Sequence, residues 1–80
     1  MSTSTMPRVR ETLRRVGIQL PDRDDGDLFA LGLESLQIAL AILELEREFG
    51  IKLPAKEYRE SFRSPVTVCA WIEAHRKEGG

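Results

Sequence analysis

The segment Ser35–Phe49 runs without a single proline or glycine and ends against Gly50, and no other feature limits the architecture of this chain as sharply. Leu, Ala, Glu, Gln and Arg dominate it, residues that lose little rotamer freedom in a helix, and Gly50 stands where a left-handed C-terminal cap is expected. At ~100° per residue, Ile38, Ile42, Leu45 and Phe49 share one stripe with Ala41 at its edge, the face predicted to point inward. A second stripe of Leu36, Leu40 and Leu43, with Arg47 one turn further along, lies roughly opposite. A helix needs only one apolar face to fold, so the second is either another buried contact or a binding surface.

The flanking sequence supplies partners of the same kind. Pro7 suits the first turn of a helix reaching Val16 and Gly17, in which Val9, Leu13 and Val16 form one stripe at i, i+4 and i+7. Arg8, Arg10, Arg14 and Arg15 spread over its other faces and read as solvated. Residues 18–34 form a long connection whose Ile18, Leu20, Leu28, Phe29, Leu31 and Leu33 are too apolar to lie free in water, so it should pack across helix ends. Ile51-Lys52-Leu53-Pro54 is a connector with Leu53 turned inward, and residues 55–62 can form a short third helix with Tyr58 and Phe62 at i, i+4. Ser64 and Pro65 cap and start a last helix running to about Lys77, with Val68, Cys69 and Ile72 inside and Trp71 at the margin. The expectation is an all-α fold: a small four-helix bundle with a long first loop and a short third helix. It comprises one domain over residues 7–78, a flexible N-terminus at 1–6 and a tail at 79–80.

Composition narrows the functions open to such a bundle. With 80 residues, 41% hydrophobic but only 6% aromatic, the core must come from Leu, Ile, Val and Ala. Twelve basic against 13 acidic residues, a net charge of -1, offer no global attraction to nucleic acid. No apolar run approaches the length of a bilayer span and the start lacks a signal core, so a soluble, cytoplasmic monomer is expected. Cys69 is the only cysteine and His75 the only histidine, which excludes a structural zinc site and leaves Cys69 as a small core residue. Asp22, Asp24, Asp25 and Asp27 invite a calcium reading that fails on spacing. A loop begun at Asp22 puts Gly26 where a ligand is needed, Asp27 where the glycine turn belongs and Leu33 where the bidentate glutamate belongs. No metal is expected.

Ser35 is the residue with chemistry to offer. It follows the run Asp27-Leu28-Phe29-Ala30-Leu31-Gly32-Leu33-Glu34 and opens the long helix, where unpaired backbone amides and the macrodipole favour a negative group such as a phosphate. Read alone, it is either a plain helix N-cap or the anchor of a phosphate ester. With Ile38 three residues on, no capping box supports the cap reading, and Glu34 makes more sense as a mark for a modifying enzyme. Catalysis by Ser35 is the weaker alternative, because the flanking glycines of a nucleophile elbow are absent and the lone histidine lies in a charged tail.

Asp27-Leu28-Phe29, Leu31-Gly32-Leu33, Glu34-Ser35-Leu36, Glu48-Phe49-Gly50-Ile51, Leu53-Pro54 and residues 66–72, in that order and spacing, resemble the acyl and peptidyl carrier protein family. The resemblance implies a four-helix fold without intrinsic catalysis and a 4′-phosphopantetheine, derived from coenzyme A, on Ser35. It also implies a phosphopantetheinyl transferase, an adenylating acyl or aminoacyl ligase and downstream acyl-transferring enzymes as partners, and makes Leu36, Leu40, Leu43 and Arg47 the expected docking face. Two departures stand out. Glu34 occupies the position usually held by aspartate in acyl carriers, and Gln37, Leu40, Leu43 and Arg47 stand where carriers of fatty-acid synthesis are acidic. Residues 62–68 look like the start of the last helix in aminoacyl and peptidyl carriers. The expected function is a carrier in a specialised pathway, the alternatives being a housekeeping fatty-acid carrier or a helical adaptor lacking a prosthetic group.

Overall fold

The computed structural model describes residues 5–76, in which four helices follow one another: α1 Thr5–Arg15, α2 Ser35–Phe49, α3 Tyr58–Ser61 and α4 Pro65–His75. Short 3-10 turns at Phe29–Leu31 and Ala55–Glu57 interrupt the connections, and there is no strand among the described residues. The expected helical bundle is therefore observed. Of the two ends expected to lie outside the domain, residues 1–4 and 79–80 fall outside the described residues, as does Lys77, the expected end of the last helix.

The helix starts differ from expectation in an instructive way. α1 begins two residues before Pro7, because buried Thr5 donates its hydroxyl to Glu73 Oε2 at 2.8 Å and so ties this turn to α4. Thr5 and Met6, expected to fray, thus belong to the helix. α2 begins at Ser35 as expected, but its N-cap is Glu34, with φ -111° and ψ 158°. Gln37 Oε1 accepts the Glu34 backbone N–H at 3.0 Å, so a capping side chain exists where counting from Ser35 found none. Gly50 closes the helix at φ 65°, and the Ile51 N–H returns to the Glu46 carbonyl at 3.1 Å. Only glycine takes that left-handed turn without strain.

α1 packs against both α2 and α4 through stripes legible in the sequence. Val9 and Leu13 from α1 meet Ile38, Ala41, Ile42 and Leu45 from α2 in one core that includes Phe62, Val68 and Ile72. On α4 the expected roles are exchanged: Trp71 is buried, while Cys69 is half-buried. Trp71 meets Phe62 edge-on, with centroids 5.8 Å apart, and donates its indole N–H to Glu57 Oε1 at 3.0 Å, satisfying both halves of an amphipathic ring. Cys69 instead faces the start of α1, its sulfur 3.7 Å from Met6 Sδ.

The long connection is held from three sides. Leu28 is fully buried and its N–H donates to the Arg63 carbonyl at 2.7 Å; Val66 N–H donates to the Asp24 carbonyl at 2.9 Å. Arg10 binds Asp24 at 2.7 Å and the Pro21 carbonyl at 2.6 Å, so this arginine, expected to be solvated, braces the loop. Arg8 also departs from a purely solvated role: it pairs with Glu48 at 3.1 Å and lies 4.3 Å from the Phe49 ring centre. Phe29 and Leu31, expected to pack inward, remain about two-fifths exposed, whereas Ile18 and Leu28 are buried and Leu20 and Leu33 pack against the core.

Candidate functional site

The mouth of α2 is positioned by two short-range devices and one long-range one. Asp27 Oδ1 accepts the N–H groups of Phe29 at 2.9 Å and Ala30 at 3.3 Å, starting the 3-10 turn. Gly32 then turns the chain at φ 91°, a conformation that disfavours any side chain, and Leu33 is half-buried before the extended Glu34. From the helix, Gln37 Nε2 donates to the Gly17 carbonyl at 2.9 Å, so one side chain joins the start of α2 to the end of α1. In the sequence Gln37 stood out only for its lack of charge, not as a capping residue, although its place three residues after Glu34 carried that signal.

Ser35 occupies the first helical position, not the cap, and is exposed. Its hydroxyl has no hydrogen-bond partner among the described residues, in contrast to a capping serine, whose oxygen is engaged by the backbone. It stands where two depressions between α2 and α3 join. One, of about 450 Å³, is lined on the loop side by Asp27, Phe29 and Leu33 and on the α3 side by Tyr58, Arg59 and Arg63. The other, of about 200 Å³, is almost wholly apolar and runs along Ile38, Ala39, Ile42 and Ala55. Ser35, Ile38 and Tyr58 border both. An exposed, unengaged hydroxyl at a helix start beside free amides fits a phosphoester, since the ester oxygen needs no buried partner and the phosphate meets favourable partial charge.

The remaining titratable groups take no part in this site. His75 lines neither depression; it packs edge-on against Trp71 and lies 3.6 Å from Glu57. Burial, with smaller contributions from Asp24 and Glu73, pushes the Cys69 thiol up to about 11, so it stays protonated and unreactive near neutral pH. Asp24 and Asp25 are engaged by Arg10 and Arg23, and no group of three or more metal-ligating side chains occurs among the described residues.

The second stripe of α2 is exposed: Leu36 at 69%, Leu40 at 44% and Leu43 at 58%. Leu40, Leu43 and Arg47 border one open groove of about 770 Å³ beside Arg15 and Lys52, whereas Leu36 stands apart from it, one turn nearer Ser35. Arg47 is exposed, its guanidinium 3.6 Å from Glu44.

Residues 7–72 match the family described as "Phosphopantetheine attachment site". The chain is 31% identical over 77 residues to the anthracycline acyl carrier protein DauA of Streptomyces sp. (strain C5), covering 90% of each chain. It is 33% identical over 61 residues to the D-alanyl carrier protein of Leuconostoc citreum (strain KM20), covering 74% of this chain and 78% of the relative. No solved structure matches. A helical adaptor without a prosthetic group is thereby overturned. The chain belongs to the phosphopantetheine attachment family, and is a carrier, not an enzyme, that bears a covalent 4′-phosphopantetheine.

Proposed function

We propose that Ser35 is the attachment residue and that the protein carries a dedicated acyl or aminoacyl group for a specialised pathway. The observation that supports the first part above all is the exposed, unpartnered Ser35 hydroxyl at the first position of α2. Attachment by a transferase joins the Ser35 oxygen to the phosphate of the pantetheine half of coenzyme A. The hydroxyl proton is released and adenosine 3′,5′-bisphosphate leaves. Once in place, the group supplies a terminal thiol that holds the cargo as a thioester. Glu34, exposed and fixed as the N-cap, presents a carboxylate to the transferase beside the nucleophile.

For partners, the exposed stripe Leu36, Leu40, Leu43 with Arg47 is the docking face. α2 itself folds on the opposite stripe, so these leucines contribute little to the core and are free to be buried against a transferase, an adenylating ligase or a downstream enzyme. An apolar face ending in a cation suits partners other than those that capture an acidic helix with basic patches. One relative is named an anthracycline acyl carrier and the other a D-alanyl carrier, which supports a dedicated cargo. Loading by an adenylating ligase, a monomeric state and a cytoplasmic location belong to the same reading. The test is to treat the purified chain with a phosphopantetheinyl transferase and coenzyme A, map the added mass by fragmentation, then load the arm in a lysate of the source organism. Attachment at Ser35 and a short acyl or aminoacyl thioester are expected. Attachment elsewhere refutes the first part, and long saturated chains as the main species establish the housekeeping alternative instead.

A further inference from the structure

Among the described residues, the arginines fall into two groups. Arg8, Arg10, Arg14, Arg15, Arg23 and Arg47 each pair with a carboxylate, and Arg76 lies over Phe49. Arg59 and Arg63 have no such partner, and both line the cleft of about 450 Å³ that Ser35 borders. They stand four residues apart, Arg59 in α3 and Arg63 just beyond it. The one carboxylate in that cleft, Asp27, already receives two backbone N–H groups on Oδ1. Glu34, immediately before Ser35, sets a further negative charge at the same helix mouth, so an anion added to Ser35 needs cations nearby to offset the repulsion.

We infer that Arg59 and Arg63 form an anion site for the phosphodiester at the root of the arm, holding it against the α2–α3 side of the molecule. The inference rests on attachment at Ser35. A guanidinium presents its donors as a planar fork that matches phosphate oxygens, and two forks in one cleft can share a single singly charged diester. The arm then leaves the surface from a preferred direction, past Tyr58 and Phe29, and is released when salt or an acidic partner competes for the arginines.

The phosphorus resonance of the holo protein tests this directly. Holo wild type, the double variant Arg59→Gln/Arg63→Gln and the double variant Arg59→Lys/Arg63→Lys are compared by phosphorus NMR. Ionic strength is raised from ~0.01 M, where the screening length is ~30 Å, to ~1 M, where it is ~3 Å. The wild-type resonance should move with salt, and the Gln variant should sit near the high-salt position throughout. The ratio of held to free diester should fall about two- to fivefold, as for an exposed charge pair, and the Lys variant should retain part of the effect. Melting curves of the apo forms should coincide, because both side chains are exposed. If fragmentation places the arm on Ser35 and the wild-type and Gln resonances coincide at low salt, the anion site is refuted and the attachment stands. If the arm sits on another residue, both fall together.

Discussion

Two serines stand at helix mouths in this protein, and the structure uses them in opposite ways. Ser64 opens α4 as a buried N-cap: its Oγ accepts the Thr67 N–H at 3.2 Å while its own N–H donates to Thr67 Oγ1 at 2.9 Å, a complete capping box. Ser35 opens α2 one position further in, exposed, with capping left to Glu34 and Gln37. The surroundings follow suit. Phe62, beside Ser64, is fully buried, whereas Phe29, near Ser35, is 39% exposed. Burial obliges a hydroxyl to be satisfied, because an unpaired one costs ~1–3 kcal/mol. Exposure removes that obligation and leaves the oxygen available to a modifying enzyme.

The sharpest way to break the comparison is at the two aromatic residues. Phe62→Ala should destabilise by about 3–5 kcal/mol through the cavity it leaves, and Phe29→Ala by less than ~1 kcal/mol, as read by urea unfolding. Equal losses would mean that the α2 mouth is as firmly packed as the α4 mouth. The serines themselves come next. Ser64→Ala should cost about 1–2 kcal/mol and still accept the arm, while Ser35→Ala should cost under ~0.5 kcal/mol and accept none, as judged by calorimetry and intact mass. A folded Ser35→Ala protein that is still modified would end the assignment.

A smaller effect belongs to Cys69, next to the buried mouth on α4. Its thiol keeps its proton in the folded state up to about 11, above the ordinary value of 9.0. Between these values the unfolded chain holds fewer protons than the folded one, so the cysteine's contribution to stability is intact below 9.0 and is lost as pH rises towards 11. Cys69→Ala should therefore show a shallower loss of stability over that alkaline window, measured by urea unfolding at several pH values. The smallest change in stability is expected at the exposed stripe: Leu40→Glu should move the unfolding free energy by less than ~0.5 kcal/mol while weakening transferase or ligase turnover. A loss of several kcal/mol would show that Leu40 is part of the core.

How much could be read in advance depended on how local each feature was. The inward stripe of α2, the start of α4 at Ser64-Pro65 and the Gly50 turn follow from side-chain periodicity and backbone preference over a few residues, so they were legible. Ser35 was legible as a helix-mouth residue but misplaced as a possible cap, since Glu34 is an unusual capping residue and the Gln37 hydrogen bond decides the register. The start of α1 was missed because Thr5 is held by Glu73, a residue of α4.

The sequence by itself therefore determined that the chain is helical, where its helices run to within a turn, and that α2 carries two apolar faces. Which of those faces lies in water was settled only by packing, because α1 covers one side of α2 and among the described residues no element covers Leu36, Leu40 and Leu43. The same holds for the exchange of Trp71 and Cys69: periodicity places both near the inner face, but only the Phe62 ring and the Glu57 carboxylate make burying the indole favourable. The cleft at Ser35 is likewise tertiary. Arg59 and Arg63 are more than twenty residues from Ser35 in the chain, and no local rule brings them to one side of it; the bond from Leu28 to the Arg63 carbonyl, which draws the loop before α2 onto the end of α3, does so.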